Sequence, residues 1–268
     1  MKNILTVGLL SDTHLSLADC GQRNKELMSA ALDGMESFSP DAVMISGDLC
    51  DWDCLSDILV TKETLDSKPW MKNTELLVTP GNHDAWCANT ENYPDYAGKK
   101  VFEDYNIYED FLSPYVYRDL SRTSPEELIK GCYHTVINGV NILCVVGYDG
   151  NHGSNAVNWL KAKLDGLRKT KNPYPVIIIT HVLPTGTVFS TCSEPSRWHS
   201  GTIRRLLDGY PEALLFAGHT HVPINRSDSF WQNSFTVINN GALHVDNPAV
   251  RPGYGILEIR DDATMRYL

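Results

Sequence analysis

The chain has 268 residues, with 23 basic side chains against 33 acidic ones for a formal net charge of -10, and 42% of its residues are hydrophobic. This composition excludes a disordered chain, and no apolar run approaches the roughly 18 residues that span a bilayer. The acidic balance argues against a broad nucleic-acid-binding face, which needs a basic stripe to displace counterions, so any phosphate must be attracted locally.

In chain order, a first buried strand is expected at residues 4–10, where the apolar run imitates a signal peptide but no small-x-small cleavage site follows. Helical periodicity over 23–37 leads to a strand at 42–46, a second helix over 55–67 and a strand at 75–79. A third periodic stretch covers 102–112. The runs 133–138 and 140–147 flank Asn138-Gly139 and read as a hairpin. Beyond them come a helix at 154–168, a strand at 176–180, a short helix at 203–207 and strands at 214–217 and 235–238. The pair 234–239 and 253–260, bordered by Asn240-Gly241, is expected to form a second hairpin. This alternation predicts an α/β fold with mixed sheets, either one sheet or two packed together. No interdomain linker is visible, and the length allows one large α/β domain or two small ones. The seven cysteines are an odd number scattered along the chain, which reads as reduced thiols and a cytoplasmic location. Cys50 and Cys54 have the wrong spacing for a zinc knuckle and read as packing or loop thiols.

Polar residues of metal-ligand type follow the strands: Asp12 and His14, Asp48, Asn82 with His83 and Asp84, His181, then His219 and His221. In an open α/β sheet, ligands gather beyond the carboxyl ends of strands, so residues far apart in sequence can converge. The Asp-x-His and His-x-His spacings put both side chains on one side of an extended backbone. Gly47, Gly81 and Gly218 supply tight turns or close backbone approach beside them. Seven candidate ligands (Asp12, His14, Asp48, Asn82, His181, His219, His221) exceed the needs of one tetrahedral metal, and two ions fit better. Imidazole, carboxylate and amide donors suit Mn, Fe or Zn. Such a pair can hold a bridging hydroxide and the oxygens of a phosphoryl group, an arrangement suited to in-line hydrolysis of a phosphate ester.

Asp12-Thr13-His14, Gly47-Asp48-Leu49-Cys50-Asp51, Gly81-Asn82-His83-Asp84, His181 and Gly218-His219-Thr220-His221 resemble, in order, the complete motif set of the calcineurin-like metallophosphoesterase superfamily. The resemblance implies a two-sheet β-sandwich flanked by helices, as one domain over 1–268. It implies that Asp12, His14 and His221 bind one metal, that Asn82, His181 and His219 bind the other, and that Asp48 bridges both. It makes His83 a catalytic histidine that is not a ligand, and Asp51 the acid that orients it. A free imidazole there can protonate the leaving oxygen or stabilise phosphoryl charge, and a carboxylate, Asp51 or Asp84, fixes its tautomer. Protein serine/threonine phosphatases of the superfamily typically carry arginine after the Asp51 position and glutamate after Asn-His. Here Trp52 and Asp84 stand in those places, and the pattern is closer to the phosphodiesterase-like branch.

Phosphodiester hydrolysis of a nucleotide-like or other small substrate is therefore the expected activity. The alternatives are a broad phosphomonoesterase and, from another class, a non-catalytic scaffold. Neither a membrane nor nucleic acid is an expected partner. Asp84 reads equally as a turn or helix-capping residue. His134 is expected as a sheet residue, while His152, His199 and His244 fall in loops that can be solvated or supply substrate contacts. An aromatic-rich insertion at about 85–131 leaves directly from Asn82-His83-Asp84, as a lid or as a helical subdomain with its own core. Arg197 and His199, on the loop after His181, are the candidates for contact with the substrate.

Overall fold

The computed structural model describes residues 2–16, 19–51, 54–86, 132–147, 154–191, 199–244 and 252–268. Among these, β1 (Asn3–Leu10) leads through α1 (Asp19–Glu36) to β2 (Ala42–Ser46), and α2 (Cys54–Asp66) to β3 (Glu75–Thr79) and the short α3 (Asn82–Trp86). After β4 (Tyr133–Ile137) and β5 (Val140–Cys144) come α4 (Ser154–Arg168), β6 (Val176–Ile179), α5 (Gly201–Leu207) and β7 (Ala213–Ala217). Strands β8 (Phe230–Gln232), β9 (Thr236–Asn239), β10 (Gly255–Arg260) and β11 (Met265–Tyr267) complete the described elements. They form two mixed sheets, β11-β10-β1-β2-β3 and β4-β5-β6-β7-β9-β8.

Strand alternation makes two apolar faces per sheet. In β1 and β2, Leu5, Val7, Leu9, Ala42 and Met44 join Ile177, Ile179, Leu214 and Phe216 of the other sheet in the layer between the sheets. The residues between them, Val43, Ile45 and Ile178, face outward onto helices. On the first sheet, α1 lays down Met28, Ala31, Leu32 and Met35, spaced three or four apart and all buried. On the second, α4 contributes Ala156, Leu160 and Leu164, and α5 contributes Ile203 and Leu207. The result is a two-sheet sandwich flanked by helices, in which central strands read as continuous hydrophobic runs because both faces are covered.

The Asn138-Gly139 hairpin forms as expected, with φ of 51° and 84° at its two central residues and β4 antiparallel to β5. His134 lies in β4, buried, with Nε2 3.0 Å from Asn141 Oδ1. The second expected hairpin does not form. Strand β9 pairs with β7 and β8, whereas β10 pairs with β1 and β11 in the opposite sheet. At Asn240-Gly241 only the glycine has positive φ, and the Asn239 side chain accepts its N–H at 3.0 Å, so the chain turns away instead of folding back. The expected helix at 102–112 and most of the 85–131 insertion lie outside the described residues.

Candidate metal centre

The parallel strands β1, β2 and β3 of one sheet and β6 and β7 of the other end in short loops that carry the motif residues. These loops are tied to one another by main-chain bonds: Asp12 N–H donates to Gly47 O at 3.1 Å, His14 N–H to Asp48 O at 3.0 Å and Gly218 N–H to His181 O at 3.0 Å. The expectation of extended backbone at Asp12, His14, His219 and His221 is corrected. Their φ values are 50°, 41°, 71° and 49°, and that of Asp48 is 50°. Left-handed conformations of this kind cost on the order of 1–3 kcal/mol each and persist where the surroundings over-determine them. Here the convergence of side chains comes from left-handed turns at the strand ends rather than from strand alternation. Gly47 has φ +87°, and a Cβ on Gly218 or Gly81 would overlap Ser11 and Asp12, or Asp48, so the last two are needed for space.

Three sets of donor atoms converge, two of which share a carboxylate; the third is His14, Asp51 and His83. Asp12, His14, Asp48 and His221 form one group and Asp48, His181 and His219 another, each with its ligand atoms within 4.8 Å of one another. Asp48 belongs to both. Its Oδ2 is 3.2 Å from His181 Nε2 and 3.6 Å from His14 Nε2. In the first group, His14 Nε2 faces His221 Nε2 at 3.2 Å and His221 Nε2 lies 3.3 Å from Asp12 Oδ1. In the second, His181 Nε2 is 3.0 Å from both Asn82 Oδ1 and His219 Nδ1. The far sides of two of these rings are oriented by the protein, as metal-binding imidazoles require: His181 Nδ1 donates to Ser46 O at 2.8 Å, and His14 Nδ1 lies 3.3 Å from Asp51 Oδ1.

Charge in the site is finely divided. Burial raises the Asp48 pKa, but the charge and hydrogen bond of His181 outweigh it and leave the carboxyl below its ordinary range. Asp12 behaves likewise: burial opposes ionisation, and the hydrogen bond and charge of His221, with His181 and His14, overcome it. His181, although fully buried, is raised to about 9 because Asp48 and Asp12 outweigh desolvation. His219 is lowered to about 3 by burial and by the charge of His181, and burial also lowers His14. The carboxylates are ionised and His14 and His219 are held as neutral rings, the forms that bind divalent cations, while a cation beside Asp48 and Asp12 would take the place of the proton those carboxylates hold on His181, so this donor set fits two of them.

His83 and Asp51 are also brought to the centre. His83 N–H donates to Asp48 Oδ1 at 2.9 Å, and His83 Nδ1 lies 2.9 Å from the Asp51 carbonyl oxygen and 3.4 Å from its carboxylate. The Asp51 pKa is lowered, chiefly by its hydrogen bond to His14. Asp84 is fully buried and accepts the N–H groups of Gly81 at 2.8 Å, Cys50 at 3.1 Å and Leu49 at 3.4 Å. Desolvation, with the nearby charge of Asp48, raises it to about 6. It therefore clasps the loops after β2 and β3 together.

His199 is buried with Nδ1 3.0 Å from Thr185 Oγ1, whereas Arg197 and His152 lie outside the described residues. Sequence reasoning left His244 as a loop residue, yet its ring stands 4.9 Å from that of His14 and 5.5 Å from that of His221. Nothing in the local sequence around His244 signals this. It comes from Leu243 and His244, whose N–H groups donate to Ser11 O at 3.1 Å and Asp12 O at 2.8 Å. No helix among the described residues is long and apolar enough to cross a membrane.

Comparison with solved structures finds the same fold elsewhere. A dimetal phosphatase from Danio rerio aligns with TM-score 0.63 at 14% identity, covering 97% of this chain and 94% of that one. Purple acid phosphatase PPD1 from yellow lupin (Lupinus luteus) gives 0.54 at 14%, covering 98% of this chain and 51% of that protein. GAP50, the anchor in the inner membrane complex of Plasmodium, gives 0.56 at 12%, covering 95% and 81%. No curated protein matches in sequence. The calcineurin-like phosphoesterase family model matches residues 5–223, which contain every motif residue described above. Those residues form two candidate metal clusters that support metal-dependent phosphoesterase activity, and the chain belongs to the calcineurin-like phosphoesterase family.

Proposed function

We propose that the protein is a binuclear metal-dependent phosphodiesterase acting on a small, nucleotide-like phosphate ester. The observation that carries the reading is the position of Asp48, one carboxylate common to two groups of buried donors. In this reading Asp12, His14 and His221 hold one ion, Asn82, His181 and His219 hold the other, and Asp48 serves both. Manganese or iron suits the mixed nitrogen and oxygen donors, with zinc as the alternative. Bound ions supply Lewis acidity and a water-derived nucleophile at neutral pH.

The chain's own residues do the rest. The Asp48 carboxylate also fixes the His83 backbone, so the start of α3, which supplies Asn82 and His83, is held relative to both ion positions. His83 has Nδ1 against the Asp51 carbonyl, a group that only accepts, and in this reading its imidazole acts on a phosphoryl or leaving-group oxygen. Asp51 positions both His83 and His14. Arg197 and His199, on the loop that leaves His181, are this reading's candidates for further substrate contacts. The chain is read as one domain over 1–268, with an aromatic-rich insertion at about 85–131. The scattered, odd number of cysteines supports a cytoplasmic location.

Preference for a diester is supported by the phosphodiesterase-like motif pattern, with Trp52 where protein phosphatases carry a phosphate-clamping arginine. Manganese-supplemented hydrolysis of bis-p-nitrophenyl phosphate against p-nitrophenyl phosphate, followed by cyclic and linear nucleotides, tests it. A clear preference for the monoester would replace the reading with the phosphomonoesterase alternative. The scaffold alternative has a counterpart in the fold of GAP50, an anchor by its name. Fewer than two ions per chain after reconstitution with manganese, together with no hydrolysis, would favour it.

A further inference from the structure

A buried serine at the end of β1 is pressed against the first carboxylate of the centre. Ser11 Oγ donates to Asp12 Oδ2 at 2.5 Å and stands 3.1 Å from the carbonyl of Ser46 at the end of β2. Gly218, which follows β7 in the other sheet, gives this hydroxyl its room, since a Cβ there would fall on Ser11 Oγ. The Ser11 main chain is held from the same side, its carbonyl accepting the N–H of Leu243 at 3.1 Å.

A hydroxyl has one proton, and two acceptors lie within its reach. The carboxylate is the nearer, and 2.5 Å is the length of a bond from a hydroxyl to an ionised oxygen, so the proton belongs to Asp12. The Ser46 carbonyl is in turn taken by His181 Nδ1 at 2.8 Å. The two oxygens of Asp12 thereby become unequal. Oδ2 holds the serine hydroxyl and the N–H of His219 at 3.0 Å. Oδ1 shares that N–H at 3.1 Å and lies 3.3 Å from His221 Nε2, which itself faces His14 Nε2 at 3.2 Å. Oδ1 is therefore the oxygen at the meeting point of the donor atoms.

We propose that Ser11 is a positioning residue of the centre: by holding Asp12 Oδ2 it turns Oδ1 alone toward the ion shared with His14 and His221. Gly218 is then required to admit the hydroxyl. The inference rests on the binuclear reading and adds to it a residue that is neither a ligand nor an acid–base group. Its effect is confined to one ion position, because Asp12 belongs to the group of His14, Asp48 and His221 and not to that of Asp48, His181 and His219. Loss of a hydrogen-bond partner behind a ligand costs about 10- to 100-fold in metal affinity.

The test titrates the metal-free full chain with manganese by calorimetry, for the unaltered protein, Ser11→Ala, Ser11→Cys, Asp12→Ala and the double variant Ser11→Ala with Asp12→Ala. Ser11→Ala is expected to raise one manganese dissociation constant about 10- to 100-fold and to leave the other within about twofold. Ser11→Cys, similar in shape but a much weaker donor, should weaken the same ion, and it carries the test if Ser11→Ala does not fold. Asp12→Ala should keep one ion, and adding Ser11→Ala should leave the constant of that ion within about twofold, since a residue that acts through Asp12 then has nothing to act on. Further weakening of the remaining ion in the double variant would overturn the inference, because it would show a general structural role. Both constants within about twofold of the unaltered protein in the alanine and cysteine variants would overturn it too, since even one neutral hydrogen bond is worth more than that. Equal weakening of both ions by Ser11→Ala would do the same. If the unaltered chain takes up fewer than two manganese ions, the binuclear reading itself fails, and that is seen before any variant is compared.

Discussion

Asp51 meets His83 at a single ring nitrogen from two directions, with its main-chain carbonyl 2.9 Å and its carboxylate 3.4 Å from Nδ1. The same carboxylate oxygen lies 3.3 Å from Nδ1 of His14. One residue thus orients both the proposed catalytic imidazole and a proposed metal-binding one.

This double duty predicts a mixed phenotype for Asp51→Asn. The backbone carbonyl still holds His83, while His14 loses a charged partner. Loss of such an outer partner costs about 10- to 100-fold in metal affinity or activity. Manganese titration of turnover should show a raised metal requirement, partly relieved at saturating manganese. A variant with unchanged manganese dependence would argue against the link through His14.

His83 and Asp48 should separate chemistry from metal binding. His83→Ala is expected to keep two ions per chain and to lose about 10²- to 10⁴-fold in turnover, the usual contribution of an acid–base group. Asp48→Ala should lose metal at both positions. Equal metal loss in the two variants, measured by elemental analysis, would contradict the assigned roles.

Metal removal should also lower stability, because a ligand that binds only the folded state adds about 2.7 kcal/mol at a hundredfold excess over its dissociation constant. The melting temperature of the unaltered chain is expected to rise with added manganese and to fall on chelation. In Asp48→Ala it should not respond to manganese.

Asp84 is expected to act through structure. Its carboxylate accepts three buried N–H groups, from Leu49, Cys50 and Gly81. Asp84→Ala leaves all three without their acceptor, at a cost of about 3 kcal/mol or more. Urea titration should show this loss with or without metal. A change confined to the metal-loaded protein would mean that Asp84 acts on the centre instead.

Tyr133 ties β4 of one sheet to β3 of the other. Among the described residues β3 is an edge strand, and the buried hydroxyl of Tyr133 both accepts from Val78 N–H at 3.0 Å and donates to Val78 O at 3.1 Å. The phenylalanine variant leaves two buried main-chain groups unpaired and should cost roughly 2–4 kcal/mol in urea unfolding, with ester hydrolysis little changed. An unaltered midpoint would show that the edge is satisfied in another way.

The order of elements was legible because buried strands announce themselves by short β-branched runs and amphipathic helices by their period. Helix α4 falls on residues 154–168 as its periodicity predicts. The motif residues were legible for a different reason: they stand immediately after strands, where the fold delivers them to one edge. The backbone that aims them was not. Asp12, His14, Asp48, His219 and His221 have left-handed φ, imposed by bonds between loops that are distant in sequence.

Sequence by itself determined the two-layer α/β plan, the family and the set of converging carboxylates and imidazoles, since each depends on local pattern and motif order. Tertiary structure alone decided that β9 and β10 part into different sheets, that Asp84 clasps two loops, and that His244 stands beside His14 and Asn24. These depend on contacts between residues as far apart as 24 and 244, and no local periodicity carries information about which distant hydrogen-bond acceptor a side chain will meet.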